Sequence, residues 1–335
     1  MVLSLFAVLS LLVLAVGTAV GTAGTAFAQS ASAQSPPARW IAVSVATLWT
    51  RPGLARELDA PALSCPADPG TWVKRMTVRQ KRWLVGKLET QALYGEKVLL
   101  LATSGGWSKI AVPSQATPNN SYGYPGWVRN VQLTATAPSV AAGVAVIKRR
   151  TARLWQTASF QGPDVVLSYG TTLPAVSWTS SSVEVVMLDG RELFLRRKTV
   201  RVHAGEAAWP RPTGAKLVAE ARRFRGLGYL WAGTSGFGFD CSGFTYALYR
   251  AFGIQLPRDA AAQFAKGTKV GSRAALRPGD LVFFRNAAGR VHHVGIYVGK
   301  GNMIHSPATG RAVTITSLSM QPYAREFAGG RRYLR

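Results

Sequence analysis

Two cysteines and four histidines are few for a chain of 335 residues, and four of those six side chains fall between Cys241 and His305. Cys241 follows Asp240 in the stretch FDCSGFTYALYRAFG, residues 239–253. Phe244, Leu248 and Phe252 recur there at four-residue steps, the spacing of one helix face, so Cys241 stands at a helix start. Unpaired backbone N–H groups and the helix dipole lower a thiol pKa at that position, often to about 3.5 to 7.5 beside a basic partner. Asp240 suits a helix cap, and Gly243 leaves room for close approach of a substrate. These features describe a nucleophile.

A nucleophilic cysteine needs a base. The candidates are His203, His292, His293 and His305, and three of them lie in the downstream segments VHHVGIYVG and MIHS. Strand alternation puts His292 on one face with Val294, Ile296 and Val298, and His293 on the other with Gly295 and Tyr297. A face that carries Gly295 can admit a helix end, which makes His293 the better base. His305 could orient His293 through the second ring nitrogen. An ideal two-residue turn at Lys300-Gly301 would leave it opposite Ile296, about 10 Å from His293. Twist, a bulge or a longer turn must close that gap.

The elements that hold these residues follow from the patterning. After the Pro-rich segment AAWPRPTG, residues 207–214, a helical spacing begins at Leu217, Ala221 and Phe224 and continues through the Cys241 segment. The strands LVFF, VGIYVG and MIHS come next, so residues 213–335 read as an α+β domain with a helix packed on an antiparallel sheet. Residues 40–135 and 143–204 read instead as short strands punctuated by Gly, Pro and Asn. Echoes between ATLW and ARLW, and between LYGEKV and LSYGTTL, indicate two copies of one small β-barrel. The first copy carries an insertion at about residues 53–85, with Pro69 near a helix start.

FDCSGF, LPRDAAAQF, LRPGDLVFF, HVGIYVG and MIHSP, in that order, resemble the NlpC-type cell-wall peptidase domain, a papain-like fold. The resemblance implies Cys241 as nucleophile, His293 as base, His305 as its orienting partner, and Tyr229 in GLGYLWAG as a hydroxyl near the oxyanion. The front of the chain is similar to a narrower subgroup, secreted γ-D-glutamyl-L-diamino acid endopeptidases with two bacterial SH3-like domains, through LDAPAL, LVGKLETQALYGEKV and GYPGWV. That likeness implies that Glu89 and Tyr124, with Asp240, Ser242 and Asp259, face the substrate and its free amino terminus. Ala260 stands where many relatives have a hydroxyl residue, so that contact is expected to be missing. Metal and cofactor are not required. The alternatives are an amidase or acyltransferase on the same fold, which LETQ and GYPGW argue against, and a non-catalytic wall-binding protein, which the Cys241, His293, His305 set argues against.

Composition bounds the rest. A hydrophobic content of 47% with ten Trp can fill two or three cores. Residues 1–28 read as an export signal with small residues at Ala26 and Ala28, and a retained anchor is the alternative because the apolar run approaches bilayer-spanning length. No Cys lies near the cleavage site, which excludes a lipid-modified amino terminus. Forty Lys plus Arg against 15 Asp plus Glu give a net charge of +25. For an exported protein the expected partners are anionic cell-wall polymers rather than nucleic acid. Cys65 is expected to be an unpaired, buried structural thiol, since a bridge to Cys241 would silence the nucleophile.

Overall fold

Runs of Val, Ile, Leu and Trp between turn residues build two antiparallel sheets in the computed structural model, which describes residues 35–204, 209 and 211–334. The expected export signal lies outside the described residues. The first sheet has seven strands, in the order Leu88–Leu93, Val45–Trp49, Tyr124–Arg129, Trp107–Val112, Lys97–Ser104, Ala38–Ile41, Leu133–Thr134. The second, from Gly143–Ile147 to Val200–Ala204, repeats that order strand for strand. Between its first two paired strands the first copy holds the helices Ala60–Leu63, Pro69–Arg75 and Val78–Trp83. Trp72 and Leu84 of this insertion are fully buried, in a cluster that includes Leu230 and Ala232 of the C-terminal part. Cys65, in the same insertion, is free as expected but solvent-exposed rather than buried, because it sits in the link between two of these short helices.

The echo at LYG and SYG has a packing consequence. Tyr94 and Tyr169 each precede a glycine with positive φ, Gly95 and Gly170, where the chain turns back. Tyr94 leaves its own sheet, enters the core of the second sheet and accepts the Leu188 N–H at 2.6 Å. Tyr169 leaves the second sheet and enters the core of the C-terminal part, edge-on to Phe224. Each β-module thus staples itself to the next through one buried aromatic ring.

The C-terminal part is a six-stranded antiparallel sheet, Thr268–Val270, Phe327–Arg332, Leu281–Arg285, Val291–Gly299, Asn302–His305, Thr314–Ser317. The Cys241–Arg250 helix packs on it, with Phe244 and Leu248 against Val294 and Ile296. The Phe327–Arg332 strand escapes sequence patterning because its centre is Gly329-Gly330. A Cβ on Gly330 would lie 2.7 Å from Leu276, so the strand reaches its inner position by having no side chain there.

Candidate active site

Cys241 opens the Cys241–Arg250 helix, and Asp240 caps it by accepting the Gly243 N–H at 2.6 Å. Gly243 serves packing rather than substrate access: a Cβ there would stand 2.0 Å from the Gly233 carbonyl oxygen. The thiol donates to the His292 carbonyl at 3.9 Å. Burial, then the Asp240 charge, pushes it up to about 12, against N–H contacts from Ser242 and Val294 that act the other way. Desolvation and a neighbouring carboxylate thus oppose the dipole and N–H groups of the helix start at this thiol.

His293 is buried at 5% exposure and its pKa is held well below the ordinary histidine range, by burial first and then by His305 and His292. The ring is neutral at neutral pH and can accept a proton. His292 is exposed and meets Glu326 at 3.1 Å. Alternation would have put His292 beside Val294. A register shift removes it: Phe284 pairs with His293 and Arg285 with Val291, so His292 is the extra residue of a bulge. Helix packing falls on Val294 and Ile296, not on the Gly295 face.

A second shift, between Tyr297 and Gly299, closes the gap to His305. Ile296 pairs with Ile304, one residue off the ideal hairpin, which brings His305 across from Gly295. Without a side chain at Gly295, where a Cβ would stand 3.2 Å from that of His305, the two rings meet: His293 Nε2 lies 2.7 Å from His305 Nδ1. His305 Nε2 lies 3.0 Å from Thr316 Oγ1. If His305 Nε2–H donates to Thr316, its Nδ1 accepts from His293 Nε2–H, and His293 Nδ1 is left as the acceptor. Tyr323 rests on both rings.

Burial also depresses His305, to about 4. Its unfolded value is the higher of the two, so its stabilising effect is complete above about pH 7 and is lost as pH falls from about 6.5 to about 4. The full difference is about 3 kcal/mol. Urea unfolding of the parent and of His305→Gln across this window should show the parent losing more stability by about that amount. Parallel curves would rule out a buried neutral His305.

Other residues converge from different segments. Tyr124 donates its O–H to Asp259 Oδ1 at 3.3 Å. Glu89 and Asp259 are half-buried, and both carboxyls are raised above the usual range, by burial first, with Asp259 adding repulsion at Glu89. Asp259 precedes the Ala260–Lys266 helix without capping it through its side chain. Asp240 and Ser242 are not open to a ligand in the same way. Arg258, 1% exposed and absent from the sequence expectations, binds Asp240 Oδ2 at 2.6 Å, Ser242 Oγ at 3.0 Å and Thr90 Oγ1 at 2.9 Å. Its place in LPRDA, next to Asp259, was the available signal. Tyr229 is buried, with its hydroxyl pKa raised by burial and then by the Asp240 and Cys241 charges.

The NlpC/P60 family profile matches residues 226–332. A Bacillus cereus protein named gamma-D-glutamyl-L-lysine dipeptidyl-peptidase is 40% identical over 95% of this chain and 99% of its own length. A Bacillus subtilis protein of the same name is 36% identical over 86% of this chain and 96% of its own. The chain belongs to the NlpC/P60 family. It is a cysteine peptidase of cell-wall type. A crystal structure of an NlpC/P60 protein from Bacillus cereus superposes with a TM-score of 0.83, at 39% identity, over 89% of this chain and all of the other. Among the described residues of this NlpC/P60 peptidase, no helix is long and apolar enough to cross a membrane and no acid, His or Cys cluster suits a metal ion.

Proposed function

We propose that this peptidase hydrolyses the bond from γ-D-glutamate to the L-diamino acid in peptidoglycan stem peptides, and that it requires a free amino-terminal L-Ala. The observation that carries this reading is the trio Glu89, Tyr124 and Asp259: two half-buried carboxylates that repel each other, with a phenol between strand and helix. An ammonium group entering there offsets the repulsion and replaces its lost water. Arg258 neutralises Asp240, which leaves the pair Glu89 and Asp259 to meet the amine.

Cys241 and His293 both start neutral. As Sγ attacks the γ-carbonyl carbon, His293 Nδ1 takes the thiol proton, and the carbonyl oxygen becomes an oxyanion near Tyr229. The C–N bond then breaks with proton transfer from His293 to the leaving amine, giving a thioester and free diamino acid. Water, deprotonated by His293, cleaves the thioester and restores the thiol. His305 holds the His293 tautomer through the 2.7 Å contact. The two β-sheets are read as bacterial SH3-like domains, a reading supported by their shared strand order, and the protein as exported to the cell envelope.

Mass spectrometry of L-Ala-γ-D-Glu-L-Lys after incubation should show the dipeptide L-Ala-D-Glu and free lysine. An intact tripeptide would overturn the reading, and loss of alanine alone would point to a different peptidase. On the same peptide, His293→Ala should lower kcat by ~1,000-fold or more while His292→Ala stays within a few-fold of the parent. The reverse order would mean that His292 is the base.

A further inference from the structure

Beside His305 lies a cavity of about 790 Å³ lined by His305, Tyr323, Thr316, Met320, Arg225 and Arg311 among others. No Asp or Glu lines it. Neither arginine has an ion-pair partner among the described residues, and both line the cavity while remaining solvent-exposed. In the rest of the site the cationic side chain is spoken for, as Arg258 is by Asp240.

The positions of the two arginines are built in. Segments 226–229 and 311–313 run side by side: Gly226 N–H donates to Val313 O at 2.9 Å, Val313 N–H to Leu227 O at 2.8 Å, and Tyr229 N–H to Arg311 O at 2.9 Å. The Arg150 guanidinium fixes the Arg225 carbonyl at 2.6 Å. So the segment that carries Tyr229 also carries Arg225, and the segment bonded alongside it carries Arg311. The Tyr323 ring, which also lines the cavity, lies against His293 and His305, and its hydroxyl is raised by burial and then by Glu326, with Arg311 acting the other way. Glu89 and Asp259 feel Arg258 but neither Arg225 nor Arg311. The arginine-lined cavity and the Glu89 and Asp259 carboxyls thus share no lining residue.

We propose that Arg225 and Arg311 form a leaving-group subsite that binds a carboxylate of the diamino acid. The inference rests on the hydrolysis proposed above. With the substrate amine among the acids, the amide bond lies at Cys241 and the departing diamino acid extends toward the arginines. Its carboxylate supplies the charge that the two guanidinium groups lack. That carboxylate is either the α-carboxylate, present in lysine and diaminopimelate alike, or the second one on the diaminopimelate side chain.

Two substrate pairs distinguish these sources. The first compares L-Ala-γ-D-Glu-L-Lys with its C-terminal carboxamide. The second compares L-Ala-γ-D-Glu-meso-diaminopimelate α-carboxamide with the same peptide also amidated on the side chain. The member that keeps the bound carboxylate should have a kcat/KM about 10- to 100-fold higher, chiefly through KM. In Arg225→Gln and Arg311→Gln that ratio should fall toward 1, and 0.5 M salt should compress it in the parent because the arginines are exposed. A difference in the first pair assigns the α-carboxylate, and one in the second assigns the side-chain carboxylate. Equal rates within both pairs, with cleavage intact, would overturn the subsite and leave the proposed hydrolysis standing. Cleavage of none of the four would overturn the hydrolysis and the subsite with it.

Discussion

Cys241→Ser should lower the turnover of L-Ala-γ-D-Glu-L-Lys by ~10,000-fold or more and leave the circular dichroism spectrum unchanged. The side chain stands half-buried at a helix start, and an alcohol of similar volume can donate to the same His292 carbonyl. What it cannot do is give up its proton as readily. Burial and Asp240 already hold the thiol up to about 12, and His293, depressed by its own burial, is a weak base. A serine in these surroundings asks the same imidazole to accept a far less acidic proton. A serine variant within 10-fold of the parent, with matching dichroism, would mean that another group attacks. The same two shifts set the reactivity of the resting enzyme. Its inactivation by iodoacetamide should still accelerate as pH rises above 8. A rate that levels off near pH 5 would reveal a preformed thiolate and imidazolium pair, contrary to the directions found here.

Acetylating the amino terminus of the tripeptide should reduce kcat/KM by about 100-fold or more. The modification removes the charge that Glu89 and Asp259 are proposed to meet and leaves two half-buried carboxylates facing an amide. Losing one partner of a buried, charge-assisted contact costs about 2 to 3 kcal/mol, and the acetyl group adds bulk next to Tyr124. The pH dependence follows from the same pair. Both carboxyls are raised, so they protonate before ordinary carboxylates do as pH falls, and KM for the free tripeptide should climb on that acid limb while KM for the acetylated peptide stays flat. Similar rates for free and acetylated peptides at neutral pH would show that the amine is not read at this end of the cleft.

The chemistry-bearing types were legible in the chain because local rules govern them. A cysteine behind an Asp at the head of a four-residue apolar period marks a capped helix start, and Phe244, Leu248 and Phe252 do pack as that period requires. The echo of LYG and SYG marked a repeat, and the two sheets share a strand order. That His293 rather than His292 turns inward was also readable, although the reason was not. Alternation assumes an unbroken pleat, and the bulge at His292 breaks it.

What required the tertiary structure depends on register and on contacts between distant segments, which no local pattern carries. One residue of slip near Gly299 separates a His305 about 10 Å away from one within 2.7 Å of His293. Arg258, beside Asp259 in LPRDA, is buried and ties the Asp240 cap to Thr90 of the first sheet. The thiol pKa turned on desolvation, a property of everything packed around Cys241 rather than of its helix. By itself the sequence determined which groups could react, since side-chain type and helix or strand period are local. Only the folded chain decided the burial that shifts their pKa values and the company each one keeps, since both depend on which distant side chains share one low-dielectric space.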